Sequence, residues 1–383
     1  MPMKRGTFLA GAAAAGVTIA SGRRAFGDAS ARVAQRTVRV HIFSGLRVDR
    51  VDVSSQRPLS ITSGGQTQSM PSISLDASAG PATIVPGDLA TIAAHIEDGS
   101  TISRRYAGAF SISGGDGGLL IVNAVDLEPY VGSVMESEIS PSWHPEALKA
   151  QAIAVRTYAL RRVEKRASFA YDVTDDTTNQ VYHGTDGITP PMTAAANATE
   201  GRVLVFNDEP ADVWYHSACG GHTADPVEIA GTPGPSYLLG IADVDASGHA
   251  YCDASPYSRW RNSIAGAEIA TVFGIEGKTL SALTVTERWP EGRVKIIRAS
   301  FSDGAAAETA GHMFYSRAGL RLGYKVIPST FFDVALSGDA GIFTGRGVGH
   351  GVGMCQWGAQ GRARAGQTAK AILAAYFPGT TLK

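Results

Sequence analysis

Cysteine is scarce in this chain, with three in 383 residues: Cys219, Cys252 and Cys355. That excludes a small domain held together by several disulfides. In an oxidising compartment it permits one pair and one thiol left over. Charge is also sparse, at 18% of residues, and it nearly cancels to a net of −1. No basic stripe is available for nucleic acid, so no nucleic-acid partner is expected. Beyond the first twenty residues no apolar run approaches the roughly 20 residues of a membrane-spanning helix, so the mature chain is expected to have no span. What the chain does have is 44% hydrophobic residues, enough for a large core, with 45 glycines and 18 prolines that predict many turns and short elements. Its length suits one large domain or two moderate ones.

The N-terminus predicts an address. Lys4 and Arg5 precede the apolar run Thr7–Ala20, which has signal-peptide length. A signal peptide is expected over residues 1–29, with cleavage near Ala25-Phe26-Gly27 or near Ala29, and export to the periplasm or cell-wall compartment. Lys4-Arg5-Gly6-Thr7-Phe8-Leu9 resembles a degenerate twin-arginine signal.

From residue 36 to 118 apolar and polar residues alternate: Val38, Val40 and Ile42; Val51 and Val53; Phe110 and Ile112. This is the period of half-buried strands. Leu119–Val122 reads as a buried strand. His144-Pro145-Glu146 then reads as a helix start, with proline at the first helical position and an acid in the first turn. It opens an alanine-rich helix running to Arg162, expected to be buried for much of its length. Further helices are expected at Met192–Thr199, Ile264–Val272, Ser316–Leu322, from near Gln356, and at Thr368–Tyr376. Strands are expected at Val203–Phe206 and Val213–His216. The predicted class is α+β: a β-rich N-terminal subdomain over 36–118, packed with a mixed core over 119–383 that contains the alanine-rich helix.

Three segments carry possible chemistry. Glu136-Ser137-Glu138 is read as a loop in an apolar setting (Val131, Val134, Met135, Ile139), where desolvation would lift a carboxyl toward the pKa of a general acid. Lys149 and Arg156, seven apart on the following helix, lie roughly on one face, and an arginine buried beside a carboxylate is either a structural ion pair or an oxygen-positioning group. His216, Cys219 and His222 stand at three-residue spacing, a candidate zinc set without an evident fourth ligand. The competing reading of Cys219 is a disulfide with Cys252. Gly345–Gly353 is dense in glycine but lacks the strand, helix and acid of a dinucleotide fingerprint. A glycine-rich cleft wall presenting His350 and Gln356 fits it better. No Gly-x-Ser-x-Gly elbow supports a serine hydrolase.

Taken together these segments resemble the SpoIID/LytB family. Glu138-Ile139-Ser140-Pro141-Ser142-Trp143-His144-Pro145-Glu146-Ala147-Leu148-Lys149-Ala150-Gln151-Ala152 is similar to its "SEMP..WP.EALKAQA" block, and Tyr215-His216-Ser217-Ala218-Cys219-Gly220-Gly221-His222-Thr223 to its "YHSSCGGHT" block. Gly347–Gly361 resembles "GxGHGVGMSQWGAQG", Asp175–Tyr182 "DTTHCQVY", and Tyr376–Thr380 "YYPGT". The resemblance runs from about Val38 to the last residue. It implies a lytic transglycosylase that cleaves between N-acetylmuramic acid and N-acetylglucosamine in peptide-stripped glycan strands. The products would be 1,6-anhydro ends, with Glu138 as general acid and then base, and no cofactor is called for. Lys149, Arg156, Tyr215, His216, His350 and Gln356 would bind substrate. The same resemblance allows a non-catalytic reading, a glycan-binding activator of a cell-wall amidase. Two departures stand out: Thr178-Asn179 replaces a His-Cys pair through which some members bind zinc, and Cys355 replaces a serine beside Gln356.

Overall fold

The computed structural model describes residues 36–383; the leader expected over residues 1–29 lies outside them. Alternation builds the front of the chain. Val38 and Val40 of β1 (Thr37–His41) and Val51, Val53, Leu59 and Ile61 of β2 (Val48–Ser63) turn inward between exposed polar residues. With β3 (Gln66–Asp76), β4 (Ala82–Pro86), β5 (Ala90–Ile96), β6 (Thr101–Tyr106), β7 (Ala109–Gly115), β8 (Gly118–Asp126) and β9 (Val173–Thr174) they form one nine-stranded sheet. Its order is β6-β5-β2-β4-β7-β8-β1-β9, with β3 paired to β2. All pairs are antiparallel except β1 with β9, where Val40 stands opposite Val173.

This sheet shares a single core with the helices that follow: Val38, Ile42, Tyr106 and Phe110 belong to the same cluster as Tyr130, Val134, Ile153 and Tyr376. The α+β class expected from the sequence is therefore the one observed.

The alanine-rich helix runs Pro145–Lys165. His144 caps it, its Nδ1 accepting from the Glu146 amide at 3.2 Å, and Pro145 occupies the first turn. Every residue from Ala147 to Leu160 except Lys149 is buried. Small side chains on all sides let four helices approach it: Leu127–Glu138, Pro190–Ala198, Gln356–Arg364 and Ala369–Tyr376.

The first of these helices corrects the sequence reading. Glu136 and Glu138 end a 12-residue helix and do not lie in a loop. Leu127, Tyr130, Val131, Val134 and Met135 form a buried stripe at helical spacing. Pro129 is accommodated in the first turn, where its missing N–H has no helical partner to lose.

Short strands complete the body: β10 (Leu204–Phe206), β11 (Glu209–Pro210) and β12 (Tyr215–His216). Residues 260–345 then form a module with a second core, centred on Ile269, Ile297, Phe314, Phe332 and Phe343. It contains β13 (Trp260–Ala265), β14 (Leu280–Arg288), β15 (Val294–Phe301), β16 (Ala306–Ala310), β17 (Phe332–Ser337) and β18 (Ala340–Gly345), in two three-stranded sheets. The helix expected at Ile264–Val272 begins only at Gly266, because Glu268 folds back to accept from the Ala265 amide and leaves Ile264 in β13. The helix expected from Ser316 begins earlier, at Gly311. After the module come β19 (Met354–Cys355), the helices Gln356–Arg364 and Ala369–Tyr376, and β20 (Thr381–Leu382), which pairs with β10.

Candidate active site

Two distant segments are laid side by side to make the site. β12 pairs in parallel with β19, putting Tyr215 opposite Met354 and His216 opposite Cys355. Bridges Ala218 to Val348 and Ala224 to Val352 continue the contact. Glycine is required where the strands pass closest. Gly347 and Gly353 have φ of +78° and +73°, and a Cβ there would lie 2.6 Å from the Ala218 carbonyl oxygen and 2.2 Å from that of Trp214.

Glu138 sits where its helix stops, next to this pair. Its Oε1 accepts from the Val181 amide at 3.4 Å and its Oε2 from the Gln356 side-chain amide at 3.5 Å. Burial pushes its pKa above the ordinary carboxylate value, and the two donors pull it partly back. The carboxyl opens onto a cleft of about 460 Å³ lined also by Ser140, Trp143, Ser217, Trp357 and Arg364. Trp143 and Trp357 flank it with ring centroids 5.0 Å apart. Glu136 shares the cleft rim, but its carboxyl packs over Gly187, where an added Cβ would come within 2.2 Å.

The other expected site residues divide. Gln356 faces Glu138. Tyr215 lies behind it: its hydroxyl accepts from Gln180 Nε2 at 2.9 Å, while Gln180 Oε1 accepts from Tyr130 at 2.9 Å. Tyr215 and His350 line a second, smaller cavity of about 150 Å³ with Tyr158, Arg162, Asn179 and Trp214. His350 donates from Nε2 to the Tyr215 carbonyl at 2.9 Å and accepts at Nδ1 from the Val352 amide at 3.1 Å. Burial lowers its pKa to about 4, so it is neutral and braces the β12–β19 pair.

The structure gives Arg156 and Lys149 ion-pair partners, the structural reading of Arg156. Arg156 is completely buried and grips both oxygens of Glu128, at 2.7 and 2.6 Å, with further bonds to the Ala196 and Arg202 carbonyls. Glu128 begins the helix that Glu138 ends, and ten residues at 1.5 Å put them about 15 Å apart. Arg156 therefore ties helices together far from the cleft. Lys149 pairs with Glu146 at 2.7 Å, and Glu146 in turn accepts from the Ala369 amide at the start of the last helix. Sequence reasoning also missed both tryptophans, although two of only five in the chain flank Glu138 and Gln356.

The expected Cys219–Cys252 disulfide is corrected as well. All three cysteines are buried free thiols, with the Cys219 and Cys252 sulfurs 3.7 Å apart against about 2.05 Å for a bond. Cys355 crowds the same spot, its sulfur accepting from the Cys219 amide at 3.2 Å. Of the candidate zinc set, His216 and Cys219 come together but His222 turns away, its Nδ1 2.7 Å from the Thr223 carbonyl. Cys355 takes its place: ligand atoms of His216, Cys219 and Cys355 lie within 4.8 Å of one another.

A family model described as Stage II sporulation protein, SpoIID, matches residues 115–206, the stretch holding Glu138 and the alanine-rich helix. Stage II sporulation protein D of Bacillus subtilis is 29% identical over 277 residues, 68% of this chain and 75% of that protein. An uncharacterized protein of Brachyspira hyodysenteriae is 29% identical over 290 residues, covering 75% and 74%. The amidase enhancer of B. subtilis is 27% identical over 286 residues, 65% of this chain but 39% of that longer protein. The chain is thus similar to the SpoIID family, through the model match at 115–206 and through these relatives. Asn179 lines the smaller cavity. Its side chain accepts from the Tyr158 hydroxyl and donates to Thr174.

Proposed function

We propose that this protein is an exported lytic transglycosylase acting on peptidoglycan glycan strands. The observation that carries the reading is Glu138: a carboxyl whose pKa is raised by burial, oriented by two N–H donors, and open on one side to a tryptophan-flanked cleft. Such a group holds a proton in position to donate. Protonated Glu138 gives its proton to the glycosidic oxygen as the bond to the muramic anomeric carbon breaks. The carboxylate then takes the proton of the muramic 6-hydroxyl while that oxygen bonds to the same carbon. One carboxyl serves both steps and no water is consumed, unlike the two-carboxylate arrangement of ordinary glycosidases. The paired indoles offer a face on which a sugar ring can stack.

A second reading, a glycan-binding activator of a cell-wall amidase, is favoured by the similarity to the B. subtilis amidase enhancer. Mass spectrometry of products from purified peptide-free glycan separates the two. Anhydro-ended fragments from wild type and none from Glu138→Gln support the enzyme. Glycan retained but uncut by both proteins leaves the activator.

A further inference from the structure

The geometry points to a closed zinc site made of Cys219, Cys252, Cys355 and His216, buried directly behind the cleft. It involves none of the residues at Thr178-Asn179, and it does not depend on the glycan reading.

Three independent observations converge. The first is spacing. Ligands of a tetrahedral zinc about 2.3 Å from each sulfur stand about 3.7–3.8 Å apart. The Cys219 and Cys252 sulfurs are 3.7 Å apart, too far for a disulfide and right for two thiolates on one ion. Cys355 and a ring nitrogen of His216 lie within 4.8 Å of Cys219 and of each other, and Cys252 joins this triad through its contact with Cys219.

The second is an orphaned nitrogen. His216 is buried, and its Nδ1 lies 3.1 Å from the Val352 carbonyl, which can only accept. The proton is therefore on Nδ1 and the lone pair on Nε2, which has no partner although leaving such an atom buried costs about 1–3 kcal/mol. An imidazole oriented through one nitrogen by a carbonyl, with the other free, is how histidine is presented to metals.

The third is the donors aimed at sulfur. The Cys219 and Gly358 amides point at the Cys355 sulfur, at 3.2 and 3.1 Å, and the Gly221 amide at the Cys219 sulfur, at 3.3 Å. Thiols accept weakly, whereas thiolates reward such bonds. Asp243 approaches the Cys219 sulfur at 3.3 Å, but Arg362 and Tyr376 already hold that carboxylate, at 2.9 and 2.8 Å. It is a neighbour of the site and not a ligand.

Three thiols and one neutral imidazole select a soft ion in tetrahedral geometry. Binding replaces three S–H protons, released to solvent, by three Zn–S bonds; the imidazole joins without losing a proton. With no open position, the ion serves structure: it fastens Ser217 and Gln356, the cleft residues adjoining His216 and Cys355, to one point.

The test uses the mature chain, reduced and freed of metal by a chelator, titrated with Co(II) and then Zn(II). One equivalent of cobalt is expected to give thiolate charge-transfer and intense tetrahedral d–d bands. Zinc should erase them with release of three protons and a raised melting temperature. Cys355→Ser and Cys252→Ser, shown folded by circular dichroism, should each weaken binding about tenfold or more. X-ray absorption on the zinc-loaded wild type reads the sulfur and nitrogen shell directly, should a variant misfold. Folded reduced protein that takes up no cobalt, binding untouched by both substitutions, or a Cys219–Cys252 disulfide in protein recovered from its own compartment would each overturn the assignment.

Discussion

The side-chain amide of Gln356 lies 3.5 Å from the Glu138 carboxylate, joining two residues 218 positions apart in the chain. An N–H donor favours the charged form of its partner, so Gln356 opposes the burial that raises the Glu138 pKa. Gln356→Leu removes that opposition. The alkaline limb of the pH–rate profile, where a general acid loses its proton, should move to higher pH by less than about one unit. A limb that stays in place, or moves down, means that Gln356 does not act on the acid.

The same raised pKa has a consequence for stability. Below the unfolded-state pKa the carboxyl is protonated in both states, and no penalty exists. As pH rises through that value the unfolded chain ionises freely while the folded chain resists, and stability is lost. Glu138→Gln avoids this. Its melting temperature should exceed that of wild type at pH 7 and converge with it near pH 3; a variant less stable at pH 7 would contradict the burial argument.

Arg156 and Lys149, seven residues apart on one helix, should behave differently when tested. Glu128→Ala leaves the Arg156 guanidinium charged and unpaired in the core, at a cost of about 3–5 kcal/mol in urea unfolding. Lys149→Ala breaks a half-exposed pair and should cost less than about 1 kcal/mol. Comparable losses from the two would mean that the Arg156 site is not dry.

Trp143→Ala and Trp357→Ala each remove one ring of the indole pair that lines the cleft. Affinity for peptide-free glycan, measured by co-sedimentation, should fall about tenfold in each, equivalent to about 1.4 kcal/mol of lost contact. Unchanged binding in both would place the sugar elsewhere.

Much of this is legible in the sequence. The alternation at Val38, Val40 and Ile42 and the His144-Pro145-Glu146 start are local signals, and the structure follows them. The helix ending in Glu138 carries an equally local stripe, Leu127 to Met135, but Pro129 within it disguises a first-turn proline as a breaker. Arg156 illustrates a different limit: spacing places it on the face of Lys149 but cannot say which neighbour that face meets two turns later. The thiols show the same limit over longer distance. Cys355 joins Cys219 only because β12 and β19 pair in parallel across 136 residues, which no pattern within either segment announces.

Trp260 and Gly345, the first residue of β13 and the last of β18, stand opposite each other in register. The module of residues 260–345 thus leaves the body and returns to it through one pair of neighbouring strands, a neck about 5 Å wide. Chain growth or loss beyond that neck need not disturb the cleft, so its length and decoration are free to change. Bonds back to the body limit that freedom, among them Ser329 to the Arg346 carbonyl and the Gly349 amide to the Pro328 carbonyl. Arg293, carried by β15, reaches back to donate to the carbonyls of Cys219 and His222 at 2.9 and 3.1 Å. Any shorter module would have to supply another cation at that point, or leave two buried carbonyls bare.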